Sequence, residues 1–225
     1  MIKPEELQKD DLTGLYTRKA FLEVFAEALS RSKAGENEAP LSLALIDVDH
    51  FLHINEEHGH VAGDHILVGV ADIIRERTPD TALGARYGGD EFAVMLPGFE
   101  REQAFLLLEQ VRLELAGREF NTPQGKVIRG VPISGGVASF PVDGRTGVEL
   151  IRKADHALYR AKYAGRSQIR LAFEERMVPK TSHYTQVQLE RLARLAAEHK
   201  VSEADLLREA MDDLLTKYGV NDIES

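Results

Sequence analysis

A glycine pair followed at once by two carboxylates, Arg86-Tyr87-Gly88-Gly89-Asp90-Glu91-Phe92, constrains this chain more than any other stretch. On its left, Thr81 to Tyr87 ends in short, mostly apolar residues; on its right, Phe92-Ala93-Val94-Met95-Leu96 is an apolar run closed by Pro97-Gly98. Two strand-like runs split by Gly-Gly predict a β-hairpin, because glycine reaches the positive φ values of a tight turn. Adjacent carboxylates there repel each other and lose water if enclosed. A solvated acidic turn is one reading. The other is a binding site: glycines let a bulky anionic ligand approach the backbone, and the carboxylates hold its counter-ion.

A second acidic group supports binding. Leu41 to Ile46 is a short, largely apolar run, expected as a buried central strand, and it ends in Asp47-Val48-Asp49. Carboxylates at the C-terminal end of a buried strand lie where open α/β sheets place ligand chemistry. Asp49 also suits a cap for the next helix. From His50 the pattern predicts a short helix, a break at Gly59 and a longer helix to about Arg77. His50, His53, His58 and His60 lack a Cys or Glu partner in zinc register and are read as solvated or structural.

Phe21, Val24, Phe25, Ala28 and Leu29 recur at helical spacing before a loop expected over 30–39. Glu100 to Gly117 reads as an amphipathic helix, Val127 and the run 131–138 as strands, and 147–164 as a further helix. Lys162 and Arg166 are one helical turn apart, a spacing that serves either a polyphosphate clamp or two solvated surface charges.

The 225 residues are 43% hydrophobic and 29% charged, enough for one sizeable globular domain and a small appendage. With no cysteine, disulfides, thiolate metal sites and thiol nucleophiles are excluded. No apolar run approaches the ~20 residues of a membrane span, and the N-terminus has no signal-peptide core, so no membrane association and a cytoplasmic location are expected. A net charge of −9 argues against nonspecific attraction of the whole molecule to nucleic acid, yet suits a nucleotide enzyme whose metal ions bring positive charge.

These motifs resemble the GGDEF family, the diguanylate cyclases. Gly-Gly-Asp-Glu-Phe at 88–92 is the family signature, and the preceding Arg-Tyr matches. Asp10-Asp11-Leu12-Thr13-Gly14-Leu15-Tyr16-Thr17-Arg18 resembles its opening motif, with Thr17 in place of asparagine. Asp47, Asp49, Phe51, Asn55, Gly59, His60, Gly63 and Asp64 match the central motif, with Leu52 where lysine is usual. The stretch from Ala154 to Arg166 matches the late helix motif, with Ser167 replacing the final asparagine. The resemblance implies an α/β domain with a mainly antiparallel central sheet flanked by helices, like the nucleotidyl-cyclase and polymerase palm.

It further implies two GTP condensed to cyclic di-GMP by a dimer. Mg²⁺ is the expected cofactor, with Mn²⁺ the alternative. The metal would be held by Asp47, the Val48 carbonyl and Asp90, with Glu91 as base or second metal ligand. Asn55 and Asp64 would read guanine, an amide and a carboxylate suiting its acceptor and donor edges. Phe51 and Leu52 amides, Lys162 and Arg166 would steady the phosphates beside Gly88 and Gly89. Pro79 and Ala82 occupy the positions of the Arg-x-x-Asp inhibitory site, so product feedback through that site is not expected.

The family match covers an expected domain 1–174. Residues 175–225 resemble a ribbon-helix-helix module, with Lys180-Thr181-Ser182-His183-Tyr184 as strand, Thr185 capping a first helix and Ser202 with Asp205 a second. Such a module is too small to bury its apolar faces alone and implies a homodimer. That family also contacts DNA, here through residues 180–218. Residues 176–225, however, hold seven Lys and Arg against nine Asp and Glu, a net of −2. A helical hairpin packed on another surface is the alternative. For the whole chain, the rival is a non-catalytic receptor for GTP or cyclic di-GMP with a DNA-binding tail; a cyclase accepting ATP is disfavoured by Asp64.

Overall fold

β2 (Leu41–Val48) is buried along all eight residues. Its mostly apolar sequence permits this because antiparallel neighbours cover both edges: β4 (Glu91–Pro97) on one side and β7 (Ile133–Phe140) on the other. β3 (Leu83–Arg86) pairs antiparallel with β4, while β1 (Tyr16–Thr17) and β8 (Ile169–Leu171) add parallel edges, giving the order β1-β3-β4-β2-β7-β8. A separate ribbon joins β5 (Glu119–Asn121) and β6 (Val127–Arg129). The computed structural model describes residues 7–34, 38–122, 125–172, 182–199 and 202–218.

Helices cover both faces. α3 (His60–Arg77) and α4 (Arg101–Gly117) bury Ile66, Val70, Ile73, Leu108 and Val111 against Ile46, Phe92 and Val94. α1 (Arg18–Ala34) and α5 (Gly147–Tyr163) bury Phe21, Phe25, Leu150 and Leu158 against Leu43, Leu45 and Met95. The alternation of Leu43 and Leu45 with Ala44 and Ile46 therefore feeds two cores from one strand. α4 and α5 start with reciprocal caps, Glu100 with Gln103 and Thr146 with Glu149. The Arg145 and Thr146 N–H groups hold the Glu149 carboxyl below its usual range. The expected α/β fold with a mainly antiparallel sheet is thus the observed one.

One local expectation needs correction, and three short strands add to it. The loop expected from Ser30 begins later, because α1 continues to Ala34. Nothing from Ser30 to Ala34 breaks a helix, and Arg31 and Lys33 in its last turn favour the negative helix end. β1, β5 and β8 were not expected; at two or three residues each they are too short to carry a period.

The chain divides into two compact units, Met1–Glu175 and Arg176–Ser225. In the second, α6 (Gln186–His199) packs against α7 (Glu203–Lys217). The Thr185 hydroxyl accepts from the Gln188 N–H at 3.3 Å, and Gln188 Oε1 accepts from the Thr185 N–H at 3.0 Å, closing a capping box. Lys180 and Thr181 of the expected tail strand lie outside the described residues, and Ser182–Thr185 forms no strand. The side-chain role expected of Asp205 also falls outside them. Leu189, Leu195, Leu207, Met211, Leu214 and Leu215 stay exposed. Among the described residues no helix is long and apolar enough to cross a membrane.

Candidate active site

The antiparallel ladder sets Asp47, at the end of β2, opposite Glu91 on β4 and Ser134 on β7. Directly opposed residues share a sheet face, so Asp47 and Glu91 look toward α5. Asp47 is buried, and burial pushes its carboxyl up; the Lys162 ammonium, 2.7 Å from Oδ2, opposes that, while Asp90 and Asp49 add to it. The Val48 N–H donates to the Asp90 carbonyl at 3.1 Å and ties the glycine turn to the strand end. Asp47, Asp90 and Lys162 thus form one electrostatic group.

The glycines serve a different purpose from the one their positions suggest. The residues of positive φ do not include Gly88 or Gly89. The Tyr87 and Gly88 N–H groups both donate to the Glu91 carbonyl, at 2.7 and 3.1 Å. A Cβ on Gly88 would lie 2.5 Å from Glu91 Oε2, so the glycine makes room for the carboxylate to fold back over the turn. Gly89 is open, with nothing within 4 Å of an added Cβ. Arg86 donates to the Gly89 carbonyl at 2.7 and 3.1 Å and reaches Asp10 at 3.4 Å. Burial raises the Asp10 carboxyl, but its bonds from the Thr13 N–H and hydroxyl, with Arg86, leave it below the usual range. The Arg86 link across 76 residues has no local sequence signal.

Asp49 is not a helix cap. α2 (Phe51–His58) starts from His50, left-handed at φ 58°, which offers no side-chain acceptor. Asp49 is 1% exposed and instead accepts from the Ser134 hydroxyl at 2.8 and 3.0 Å and from the Ser167 N–H at 3.0 Å. The first N–H groups of a helix have no intrahelical partner, so those of Phe51 and Leu52 are donors at the mouth of the acidic group. Leu52 is 70% exposed there.

Asn55 packs on Gly63 at the corner of α2 and α3, one residue before Asp64. A Cβ on Gly63 would lie 1.9 Å from Asn55 Oδ1 and 3.1 Å from Phe51 Cζ, so this glycine admits the Asn55 amide against α3. Asp64 is exposed beside it. Lys162 and Arg166 do not form a pair on one helix, because α5 ends at Tyr163. Arg166 and Ser167 follow in consecutive left-handed conformations, φ 63° and 49°, at about 1–2 kcal/mol each. Arg166 Nε lies 4.0 Å from Asp49 Oδ1, so both cations face the acidic strand end.

The donors here are hard oxygens, and buried Asp47 already holds a cationic group, so the residues fit a hard divalent ion. Among the described residues no three or more His, Cys, Asp and Glu side chains gather around a metal position. Asp47 and Glu91 instead face each other across the ladder, with the Asp90 carboxylate raising Asp47. The four histidines gather no metal site either: His53 pairs with Glu57 at 3.5 Å, and His58 Nδ1 is buried without a hydrogen-bond partner. Pro79 and Ala82 lie between α3 and β3, joined by an Ala82 N–H to Pro79 carbonyl bond of 2.8 Å.

Known proteins match most of this unit. Diguanylate cyclase DgcP of Pseudomonas aeruginosa is 36% identical over 167 residues, 72% of this chain and 24% of that protein. The chain spans less than half the length of the curated relatives it matches. The isolated GGDEF domain of TpbB (YfiN) from P. aeruginosa superposes with a TM-score of 0.70 at 33% identity, covering 74% of this chain and 95% of that one. The GGDEF domain of DgcB from Caulobacter crescentus, solved in complex with c-di-GMP, gives 0.68 at 29% identity over 76% of this chain and 99% of that one. Residues 7–168 match the family described as diguanylate cyclase, GGDEF domain, and with a strand-end aspartate, a glycine turn and two cations in register, this chain belongs to the GGDEF family.

Proposed function

We propose that the chain is a diguanylate cyclase that joins two GTP into cyclic di-GMP. The carrying observation is the strand-end Asp47, opposite Glu91 in the ladder, with the Asp90 carboxylate acting on it and Lys162 bound to it. Asp47, the Val48 carbonyl and Asp90 would hold Mg²⁺, or Mn²⁺, with Glu91 as a further ligand or as base. Bound there, the ion supplies charge neutralisation for the triphosphate and eases deprotonation of the attacking hydroxyl. Asn55 and Asp64 bind the guanine edges; the Phe51 and Leu52 amides, Lys162 and Arg166 hold phosphate oxygens around Gly88 and Gly89. Each 3′-oxygen attacks the α-phosphorus of the other GTP, its proton leaves to a base, and pyrophosphate departs. Incubating the purified chain with GTP and Mg²⁺ and resolving products by chromatography tests this. Cyclic di-GMP with two pyrophosphates is expected; untouched GTP at high protein concentration would favour the receptor reading.

Leu52 supplies a graded test. An exposed leucine leaves the first turn of α2 without the cation usual in the family. Leu52→Lys is expected to lower KM for GTP about fivefold, near 1 kcal/mol for a charge-assisted phosphate contact, with kcat little changed. An unchanged KM would remove this position from the phosphate site.

One domain binds one GTP in this reading, so two must face each other. Exposed Leu207, Met211, Leu214 and Leu215 on α7, and the small size of the α6–α7 pair, support the tail as the dimerising element. A ribbon-helix-helix arrangement would draw on the α6–α7 pair, whose first helix Thr185 caps, while the tail's net charge of −2 lends DNA contact no support. Truncation after Phe173 is expected to give a monomer whose specific activity at low protein concentration falls about tenfold or more, through lost effective concentration. Full activity in that truncate would refute the tail's role.

A further inference from the structure

Lys162 and Arg166 reach the acidic strand end from different backbone settings. Lys162 rides on a regular helix, but Arg166 sits in a loop, Gly165-Arg166-Ser167, whose last two residues are both left-handed without being glycine. Such a conformation persists only where its surroundings over-determine it. On one flank Gln168 does so: its amide donates to the carbonyls of Ala161, Ala164 and Arg166 at 3.1, 3.0 and 3.3 Å. The Arg166 N–H donates to the Ala161 carbonyl at 3.0 Å. On the other flank stands Asp49, enclosed at 1% exposure, 118 residues away along the chain from the Ser167 N–H that it accepts at 3.0 Å. Its two oxygens are fixed by the Ser134 hydroxyl on β7, and its Oδ1 lies 4.0 Å from Arg166 Nε.

We propose that Asp49 is a positioning residue: a buried anchor that holds the Ser167 backbone in its left-handed turn and so presents Arg166 to the nucleotide phosphates. The assignment rests on the cyclase reading for its ligand. Asp49 touches no reacting atom; it acts through Arg166. A buried carboxyl suits this task because its oxygens accept from the Ser134 hydroxyl and the Ser167 N–H at once, joining β7 to the turn. Ser134, opposite Asp47 in the ladder, aligns the anchor with the sheet that carries the acid.

The test uses the full chain and a GTP analogue whose α,β-bridging oxygen is replaced by methylene, so that pyrophosphate cannot leave. Asp49→Asn is expected to weaken analogue binding in Mg²⁺ about tenfold, the lower end for losing an outer hydrogen-bond partner. Arg166→Ala is expected to match it. The double variant should be no weaker than either single one, since both remove the same contact. Amide exchange at Ser167 should quicken about tenfold or more in Asp49→Asn, while exchange within α3 stays unchanged. If Asp49→Asn does not fold, Ser134→Ala loosens the same anchor and should move Ser167 exchange and affinity in the same directions.

Losses that multiply in the double variant would overturn the proposal, as would unaltered analogue binding in Asp49→Asn. Unchanged Ser167 exchange beside weakened binding overturns the anchor alone. Failure of the unaltered chain to bind the analogue overturns the cyclase reading and, with it, the phosphate-presenting role.

Discussion

Asp90→Ala is expected to cut cyclic di-GMP synthesis about a thousandfold, the scale of losing a group that stabilises developing charge, while the melting temperature holds level or rises. The two halves of this expectation come from different atoms of one residue. What the turn needs from Asp90 is its main-chain carbonyl, which accepts the Val48 N–H at 3.1 Å and survives the substitution. What the chemistry needs is the carboxylate. That carboxylate raises the Asp47 carboxyl and so works against the folded state, behind the larger effect of burial. Removing it relieves repulsion on the buried Asp47 carboxyl, the kind of stability cost that the proposed site role would carry. A half-exposed side chain otherwise changes stability by about 0.5 kcal/mol, or about 2 °C in a chain of this size. Activity assayed by chromatography and melting followed by circular dichroism separate the two. Residual synthesis above one-tenth of the unaltered rate would take Asp90 out of the metal-holding set. A fall in melting temperature of about 5 °C or more would mean that the carboxylate is structural.

The acids themselves were legible before any coordinates, and for a physical reason. An apolar run cut short by Asp47, and a hairpin cut by Asp90 and Glu91, place charge where hydrophobic burial cannot explain it. Helix starts were legible where chain chemistry is local: Thr185 caps α6 as expected, and the starts expected near Glu100 and Gly147 are fixed by caps at Glu100 and Thr146. The contacts that turn those acids into a site are not local. Lys162 to Asp47, Ser167 to Asp49 and Arg86 to Asp10 join distant segments, and no period or spacing encodes them. Spacing left Lys162 open between a phosphate clamp and a surface charge, and only the resemblance decided for the clamp. The Gly88 reading erred for a related reason: glycine suggests a backbone angle, but here it vacates side-chain space for Glu91, a demand visible only in three dimensions. The same ambiguity affects other glycines, and it generates the largest stability effect expected of a single methyl group.

Gly136→Ala is expected to destabilise the fold by about 3 kcal/mol, the upper range for overpacking, and to lower the melting temperature by about 6–12 °C. Gly136 lies on β7 opposite Leu45, on the face covered by α5. A Cβ there would stand 2.0 Å from the Ala154 carbonyl oxygen and 2.3 Å from the Leu158 nitrogen. Both are helix backbone, so no rotamer change relieves the clash; α5 must move off the sheet or β7 must bend. At the adjacent Gly135 the nearest atom is the Ile169 Cδ1 tip at 2.7 Å, which a side-chain rotation can withdraw, and alanine there should cost less. At Gly89 an added Cβ meets nothing within 4 Å, so Gly89→Ala serves as the near-neutral control. The site registers the strain as well, because α5 carries Lys162 to within 2.7 Å of Asp47. A shift of about 1 Å in a group that orients substrate costs about a hundredfold in rate, so folded Gly136→Ala should be a weak cyclase even below its melting point. Melting within about 2 °C of the unaltered chain would show that α5 can ride outward without penalty, and the close seating of that helix would then not be what holds Lys162 on the strand-end acid.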